Sequence, residues 1–269
     1  MQELKVVFSD VDGTLLRDDK SLSDKNREAI NALRDKGIHF VITTGRGPMA
    51  VETIYKQIGF KTDLIAYSGE YIIRDGKAIF STGFSYDEAK EIVDFLDSNS
   101  TTYGIYSEEL WISPVRTELL AEEEALVDAE CIIGTIELLN RNAIINKFLA
   151  ISTPEQVNTL IAKLRQRFPN YDIVKSLDYL VEINRGGQNK GTACKKYCEL
   201  YNIDTKQALC FGDCYNDLEM LRLMPSVCIM GNAPEDIKEE FAGNPDKKII
   251  ESNMNDGIYH ELYRRGYVE

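Results

Sequence analysis

The sequence predicts an α/β protein: a parallel sheet flanked by helices, with an α+β segment inserted into the middle of the chain. Two observations carry this. At both ends of the chain, short apolar runs alternate with amphipathic stretches across short loops, the rhythm of strand–helix–strand units. Between them that rhythm gives way to closely spaced strand pairs, which points to antiparallel pairing and a separate layer. A chain of 269 residues, 43% hydrophobic and 28% charged, has room for a large core or two domains and needs no staples to fold.

The elements follow in order. Residues 4–9 form an apolar run bounded by charge, as in a buried strand. Ser21 or Ser23 caps a helix that runs through Lys36, turns Ala29, Ile30 and Leu33 inward, and ends at Gly37. A second buried strand spans 38–43. Pro48 then opens a helical stretch striped with Val51, Ile54, Tyr55 and Ile58, before a third strand at 63–67. Residues 71–80 read as a hairpin turning on Asp75-Gly76. From about Phe84 the character changes: a helix over 86–96, a polar break at 98–102, then mixed pieces that include 143–151, 154–168, 171–176 and 179–183. Arg185-Gly-Gly marks the return, after which helices at 190–201, 216–223 and 234–241 alternate with strands at 207–211, 226–230 and 248–250. The expected core is therefore 1–83 with 185–269, and the insertion is 84–184.

Composition narrows the function. Thirty-one basic residues against 44 acidic ones give a net charge of −13, which argues against nucleic acid or an anionic membrane as the main partner. No apolar run approaches the roughly 18 residues of a membrane span. The first ten residues reach acidic side chains and do not read as a secretory signal. Six dispersed cysteines read as reduced thiols, so a cytoplasmic location is expected. With only His39 and His260 present, chemistry that needs a histidine cluster is nearly excluded.

The strongest chemical signal is Asp10-Val11-Asp12-Gly13-Thr14, directly after the first strand. Ligands of open α/β sheets bind at the carboxyl ends of strands, and two carboxylates around a tight turn there can converge on one charged centre. A second acidic group, Gly212-Asp213-Cys214-Tyr215-Asn216-Asp217, also follows an apolar strand. Two acidic loops at strand ends make a hard-cation site, and oxygen donors favour Mg²⁺. Thr43-Thr44-Gly45-Arg46 ends the second strand with donors suited to a phosphate. Lys190 opens a helix after a glycine-rich turn, where an anion is attracted; taken alone, it reads as an ordinary solvent-exposed lysine. Mg²⁺, a lysine, a threonine and a carboxylate nucleophile are the parts that phosphoryl transfer needs.

These motifs resemble the haloacid dehalogenase superfamily, specifically its Cof-type branch of small-molecule phosphatases. The match runs through Phe8-Ser-Asp10-Val-Asp12-Gly-Thr14, Thr44-Gly-Arg46, Asn189-Lys190-Gly191, Gly212-Asp213-x-x-Asn216-Asp217, Met230-Gly-Asn-Ala233 and Asn255-Asp-Gly-Ile258. The resemblance implies a Rossmann-like core with an inserted C2-type cap at 84–184 that selects the leaving group. It implies Asp10 as the nucleophile that becomes an aspartyl phosphate. It implies Asp12 as general acid and base, with its backbone carbonyl also a ligand of Mg²⁺. Asp213 would complete the metal site with support from Asp217, and Thr44, Gly45, Lys190, Asn216 and the Val11 amide would hold the phosphate. Sugar phosphates or similar small phosphorylated metabolites are the implied substrates, with no obligate protein partner. The chain departs from the family's usual pattern at Ser68-Gly69, where Asn-Gly is common, and at Cys214, where a small residue is common.

Other readings are weaker. Gly45-Arg-Gly47-Pro-Met-Ala50 fits a dinucleotide-binding fingerprint, but it follows the second strand and carries Pro48 in the loop; Asp63 begins a strand where the ribose-binding acid should end one. Residues 186–192 mimic a phosphate-binding loop with Lys and Gly inverted. The pairs Cys194/Cys198 and Cys210/Cys214 read as structural thiols, not a zinc site. His39 reads as a packing or surface residue. Tyr103, Tyr106, Trp111, Arg116 and Lys147 of the insertion read as core or surface residues with some prospect of touching substrate. A phosphomutase is the nearest rival activity, and a non-catalytic metal-binding protein is the rival from another class.

Overall fold

The fold comes from a computed structural model that describes residues 3–269; residues 1 and 2 of the expected core segment lie outside the described residues. Strand β1 (Val6–Ser9) is buried at every position, as its apolar run requires. Ser23 caps α1 (Asp24–Asp35), accepting the Asn26 N–H, and the helix buries Ala29, Ile30 and Leu33. β2 (His39–Thr43) follows, then a 3-10 turn at Pro48–Val51 that leads into α2 (Glu52–Ile58). β3 (Asp63–Ala66) and a turn at Tyr67–Gly69 precede β4 (Tyr71–Arg74) and β5 (Lys77–Ser81). Asp75 and Gly76 between those strands both have positive φ, 49° and 71°, the geometry that a two-residue hairpin demands.

The middle of the chain forms α3 (Tyr86–Ser98), β6 (Thr102–Ser107), β7 (Leu110–Ser113), α4 (Glu118–Val127), β8 (Ile132–Ile133), β9 (Lys147–Ile151), α5 (Val157–Arg167), β10 (Asp172–Leu177) and β11 (Leu180–Asn184). A six-stranded sheet in the order β10-β11-β9-β6-β7-β8 results, antiparallel except for the β7–β8 pair. Helices α3 and α5 bury Ile92, Leu96, Leu160 and Leu164 in one cluster with Ile105 and Phe148 of that sheet.

The chain then returns to α/β alternation through α6 (Lys190–Leu200), β12 (Ala208–Gly212), α7 (Leu218–Leu223), β13 (Val227–Ile229), α8 (Glu235–Phe241), β14 (Lys247–Ile249) and α9 (Gly257–Arg264). The eight-stranded sheet runs β14-β13-β12-β1-β2-β3-β4-β5, and its pairs from β14 to β3 are parallel. From β1 the chain builds one side of this sheet with β2 and β3, and later the other side with β12, β13 and β14. The order therefore reverses between β1 and β12, and a crevice at the carboxyl ends of those two strands is where such sheets bind ligands.

Two compact units emerge: residues up to Gly45, Glu52–Phe80 and Gln188–Glu269 form one, and Arg46–Val51 with Ser81–Gly187 form the other. The divisions at 80/81 and 187/188 differ from the expected 83/84 and 184/185. The second lies just past Gly186 and Gly187, whose positive φ values of 86° and 84° turn the chain. Among the described residues no helix is long and apolar enough to cross a membrane.

Candidate active site

The carboxyl ends of β1 and β12 bring the two acidic loops side by side. Asp10 follows β1 directly, and its N–H donates to Phe211 O of β12 at 3.0 Å. Asp213 follows β12 directly. Asp10, Asp213 and Asp217 are all buried, and one carboxylate oxygen from each lies within 4.8 Å of the others. Residues more than 200 positions apart thus converge because parallel pairing aligns Ser9 with Phe211.

Lys190 is the cation of this cluster, and here the structure overturns the reading of an exposed lysine. Its side chain is wholly buried, with Nζ 2.5 Å from Asp10 Oδ1 and 2.7 Å from Asp217 Oδ1. A capping box of Asn189 and Thr192 fixes the start of α6, so Lys190 enters at the helix's first position. Burial works against its charge, but Asp10 and Asp217 outweigh that and hold the ammonium protonated above the usual lysine range.

The carboxylates feel the opposite pressure. Burial, reinforced by Asp217, pushes Asp10 up to about 8 against the pull of Lys190. Burial and Asp217 also push Asp213 up to about 6, opposed by the hydrogen bond from Thr14. Three carboxylates against one ammonium leave the cluster net negative when ionised. An all-oxygen donor set with surplus negative charge fits a hard divalent cation. Asp217 ties the cluster together: its Oδ1 meets Lys190, and its Oδ2 accepts the N–H groups of Asp213 and Cys214 at 3.0 and 3.1 Å.

The other expected site residues are placed as follows. Asp12 is half-buried; its carboxylate does not join the triad and meets Lys20 Nζ at 2.7 Å, with about two fifths of the side chain exposed. The Val11 side chain is buried, and its carbonyl accepts the N–H groups of Thr14, Leu15 and Leu16 to close the loop. Thr44 is buried just past β2; its N–H donates to Ile65 O at 2.8 Å and its carbonyl accepts the Ser68 N–H. Gly45 follows it, half-buried, and Asn216 is exposed on the 3-10 turn Tyr215–Asp217.

Two participants, Thr14 and Asn232, carry no role in the sequence, and a third, Gly13, does more than permit the tight turn expected of it. Thr14 Oγ1 donates to Asp213 Oδ1 at 2.6 Å. Asn232 Nδ2 donates to Gly13 O at 2.8 Å and to Asp213 Oδ2 at 3.3 Å, clipping the two loops together. Gly13 has φ +81°, and a Cβ there would sit 2.4 Å from Asp213 Oδ2. All three lie within the motifs quoted for the resemblance, which is the only signal for Thr14 and Asn232.

The competing residues go elsewhere. Asp63, the ribose-binding candidate of the dinucleotide reading, starts β3 and is held by Tyr197. All six cysteines are free, and Cys194, Cys198 and Cys210 pack in the core of the first unit. In the second unit Tyr103, Tyr106, Trp111 and Lys147 are buried. Tyr106 stacks on Trp111, Lys147 pairs with Glu182 at 3.4 Å, and the exposed Arg116 binds the buried Glu124 at 2.5 Å.

Known proteins share this plan. A relative in Streptococcus pyogenes serotype M6 is 28% identical over 272 residues, covering 96% of this chain and 97% of that one. The 5-amino-6-(5-phospho-D-ribitylamino)uracil phosphatase YcsE of Bacillus subtilis is 27% identical over 259 residues, covering 95% and 93%. The crystal structure of TM0651 from Thermotoga maritima superposes with a TM-score of 0.88 at 26% identity, covering 97% of each chain. The family model for haloacid dehalogenase-like hydrolases matches residues 7–262, from inside the first core strand into the last helix. With a match of that extent, the chain belongs to the haloacid dehalogenase-like hydrolase family.

Proposed function

We propose that the protein is a Mg²⁺-dependent phosphatase that hydrolyses small phosphomonoesters, sugar or polyol phosphates foremost, through an aspartyl-phosphate intermediate. The observation that carries this is the placement of Asp10 at the end of β1, one oxygen on Lys190 and the acidic loop of β12 beside it. Asp10, the Asp12 carbonyl and Asp213 would hold the metal, which supplies charge neutralisation for the phosphoryl oxygens.

In the first step an Asp10 carboxylate oxygen attacks phosphorus while the bond to the leaving oxygen breaks. Asp12 protonates that oxygen. In the second step water attacks phosphorus, Asp12 takes its proton, and the bond to Asp10 breaks to release phosphate. Splitting one slow displacement into two is what a covalent nucleophile contributes. Asp12 must leave Lys20 to do this, and release from an exposed ion pair costs at most about 1 kcal/mol. Lys190, the Thr44 hydroxyl, the amides of Val11 and Gly45, and Asn216 grip the phosphate.

The named substrate of the Bacillus relative, a phosphate on a ribityl arm, supports a small polyol phosphate as the substrate class. Reduced thiols support a cytoplasmic location, and we assign no protein or nucleic-acid partner. The test is phosphate release over a panel of phosphorylated metabolites with Mg²⁺ and with excess EDTA. Turnover of at least one small phosphomonoester that EDTA abolishes and Mg²⁺ restores is expected. A folded protein that releases phosphate from none of them refutes the reading, and full turnover without metal refutes the roles given to Asp10 and Asp213.

A further inference from the structure

Helix α6 carries Lys190 at one end and, seven positions later, Tyr197. That spacing is about two turns, so both side chains leave the same face, and both are fully buried. The Tyr197 hydroxyl donates to Asp63 Oδ2 at 2.5 Å. Asp63 opens β3, and its other oxygen accepts the Asp75 N–H at 3.0 Å. Near the opposite end of the same strand, Ile65 O accepts the Thr44 N–H at 2.8 Å. Thus β3 braces Thr44, at the end of β2, while α6 carries Lys190, and these are two of the groups assigned above to the phosphate.

The two elements are joined at both ends. Near the site, Gly69 approaches α6 so closely that a Cβ there would lie 2.6 Å from Asn189 O. At the far end the Tyr197–Asp63 hydrogen bond closes the frame. The Tyr197 ring also stands edge-on to Phe8 of β1, centroids 5.5 Å apart, two residues before Asp10. Burying a carboxylate beneath a sheet is unfavourable unless it is paired, and apolar residues at 63 and 197 would pack without that penalty. Apolar packing is non-directional and tolerates a helix sliding along its axis. A short hydrogen bond to a buried acceptor does not.

We infer that Tyr197 and Asp63 are positioning residues that set the spacing between Lys190 and Thr44 and so align the phosphate for attack. The inference rests on the phosphate-binding roles given to those two groups. His39 Nδ1 and Arg74 Nε lie 3.5 and 3.8 Å from the same Asp63 Oδ2 that accepts the Tyr197 hydroxyl, so two further groups of positive or polar character converge on the acceptor.

The test uses the full-length Mg²⁺-loaded protein and the variants Tyr197→Phe, Asp63→Asn, their double mutant, and Cys198→Ala, which trims the packing of α6 without touching the hydrogen bond. Steady-state kinetics with p-nitrophenyl phosphate and calorimetric binding of inorganic phosphate are measured where circular dichroism shows every variant folded. Tyr197→Phe is expected to lower kcat/KM about ten-fold, the scale of a sub-ångström misplacement, and to weaken phosphate binding by a similar factor. Cys198→Ala leaves both within about two-fold, and the double mutant is no worse than its poorer parent, as for two halves of one contact. A Tyr197→Phe protein that melts earlier but keeps wild-type kcat/KM and phosphate affinity overturns the inference, as do losses that multiply in the double mutant. Wild-type protein that binds phosphate without turning over any ester refutes the phosphatase reading instead, and phosphate affinity then still decides the positioning role.

Discussion

Lys190 Nζ lies 2.7 Å from Asp217 Oδ1, and neither side chain is exposed to water. The pair is buried, so neither charge can fall back on solvent, and removing one partner strands the other. Lys190→Met keeps most of the volume and removes the charge. Phosphate release should fall by about 10²–10³-fold or more, the scale for losing a preorganised charged donor. Stability to urea should drop by about 3–5 kcal/mol, as for other broken buried pairs. A variant with a tenth or more of wild-type kcat/KM contradicts the role given to this lysine.

The two aspartates of the first loop should separate cleanly. On the roles proposed above, Asp10→Asn removes the nucleophile and a metal ligand together, so turnover should vanish and Mg²⁺ affinity fall. Asp12→Asn leaves the backbone carbonyl in place, so metal binding should persist while proton transfer, worth about 10²–10⁴-fold, is lost. The loss should be smaller for nitrophenolate, which needs no protonation, than for a sugar alkoxide. Equal losses of kcat/KM with both substrate types would refute Asp12 as the acid.

Gly13 makes a steric prediction. Its φ of +81° strains any L side chain, and the added methyl would overlap Asp213 Oδ2. Gly13→Ala should therefore displace Asp213 and, with Asp213 in its proposed place as a metal ligand, weaken Mg²⁺ binding by at least about ten-fold, one ligand's misplacement being enough. Calorimetric titration of Mg²⁺ reads this directly, and wild-type affinity would show that the loop yields without moving the carboxylate.

Acid stability should trace in part to Glu261, far from the chemistry. Burial raises its pKa, but hydrogen bonds from Lys248, Arg265 and Arg264 outweigh that and hold it below the usual 4.5. A depressed folded pKa contributes stability that is fully present above the unfolded value and is lost as pH falls below about 4.5. Glu261→Gln should cost about 1–3 kcal/mol at pH 7, and the gap to wild type should narrow on acidification toward pH 3. A gap that stays constant with pH would exclude this network as the source.

How much of this was legible in the sequence depended on range. β1, β2 and β12 announced themselves as apolar runs, and Ser23 marked its helix locally. Lys190 could not be read correctly alone, because its burial depends on Asp10, 180 positions away, and on Asp217, 27 away. The contact from Thr14 to Asp213 spans 199 positions and exists only once β1 pairs with β12. Helix α4 went unplaced because Glu118-Leu-Leu-Ala-Glu-Glu-Glu is acidic with a weak apolar stripe. Helix α9 was hidden because Asn255-Asp-Gly-Ile258 was read only as a motif, while its first residue is a buried glycine.

The free thiols have a further consequence. Cys131, Cys194, Cys198, Cys210 and Cys228 are buried, and only Cys214 is partly accessible. Burial pushes Cys131 up to about 11 and Cys198 and Cys228 up to about 12, and it also raises Cys210 well above the usual thiol range, so these sulfurs are neutral and poorly nucleophilic in the folded chain. The molecule thus carries its own clock for opening. An alkylating reagent modifies a core sulfur only during excursions that expose it, so the labelling rate at each position reports how often that part of the core comes apart.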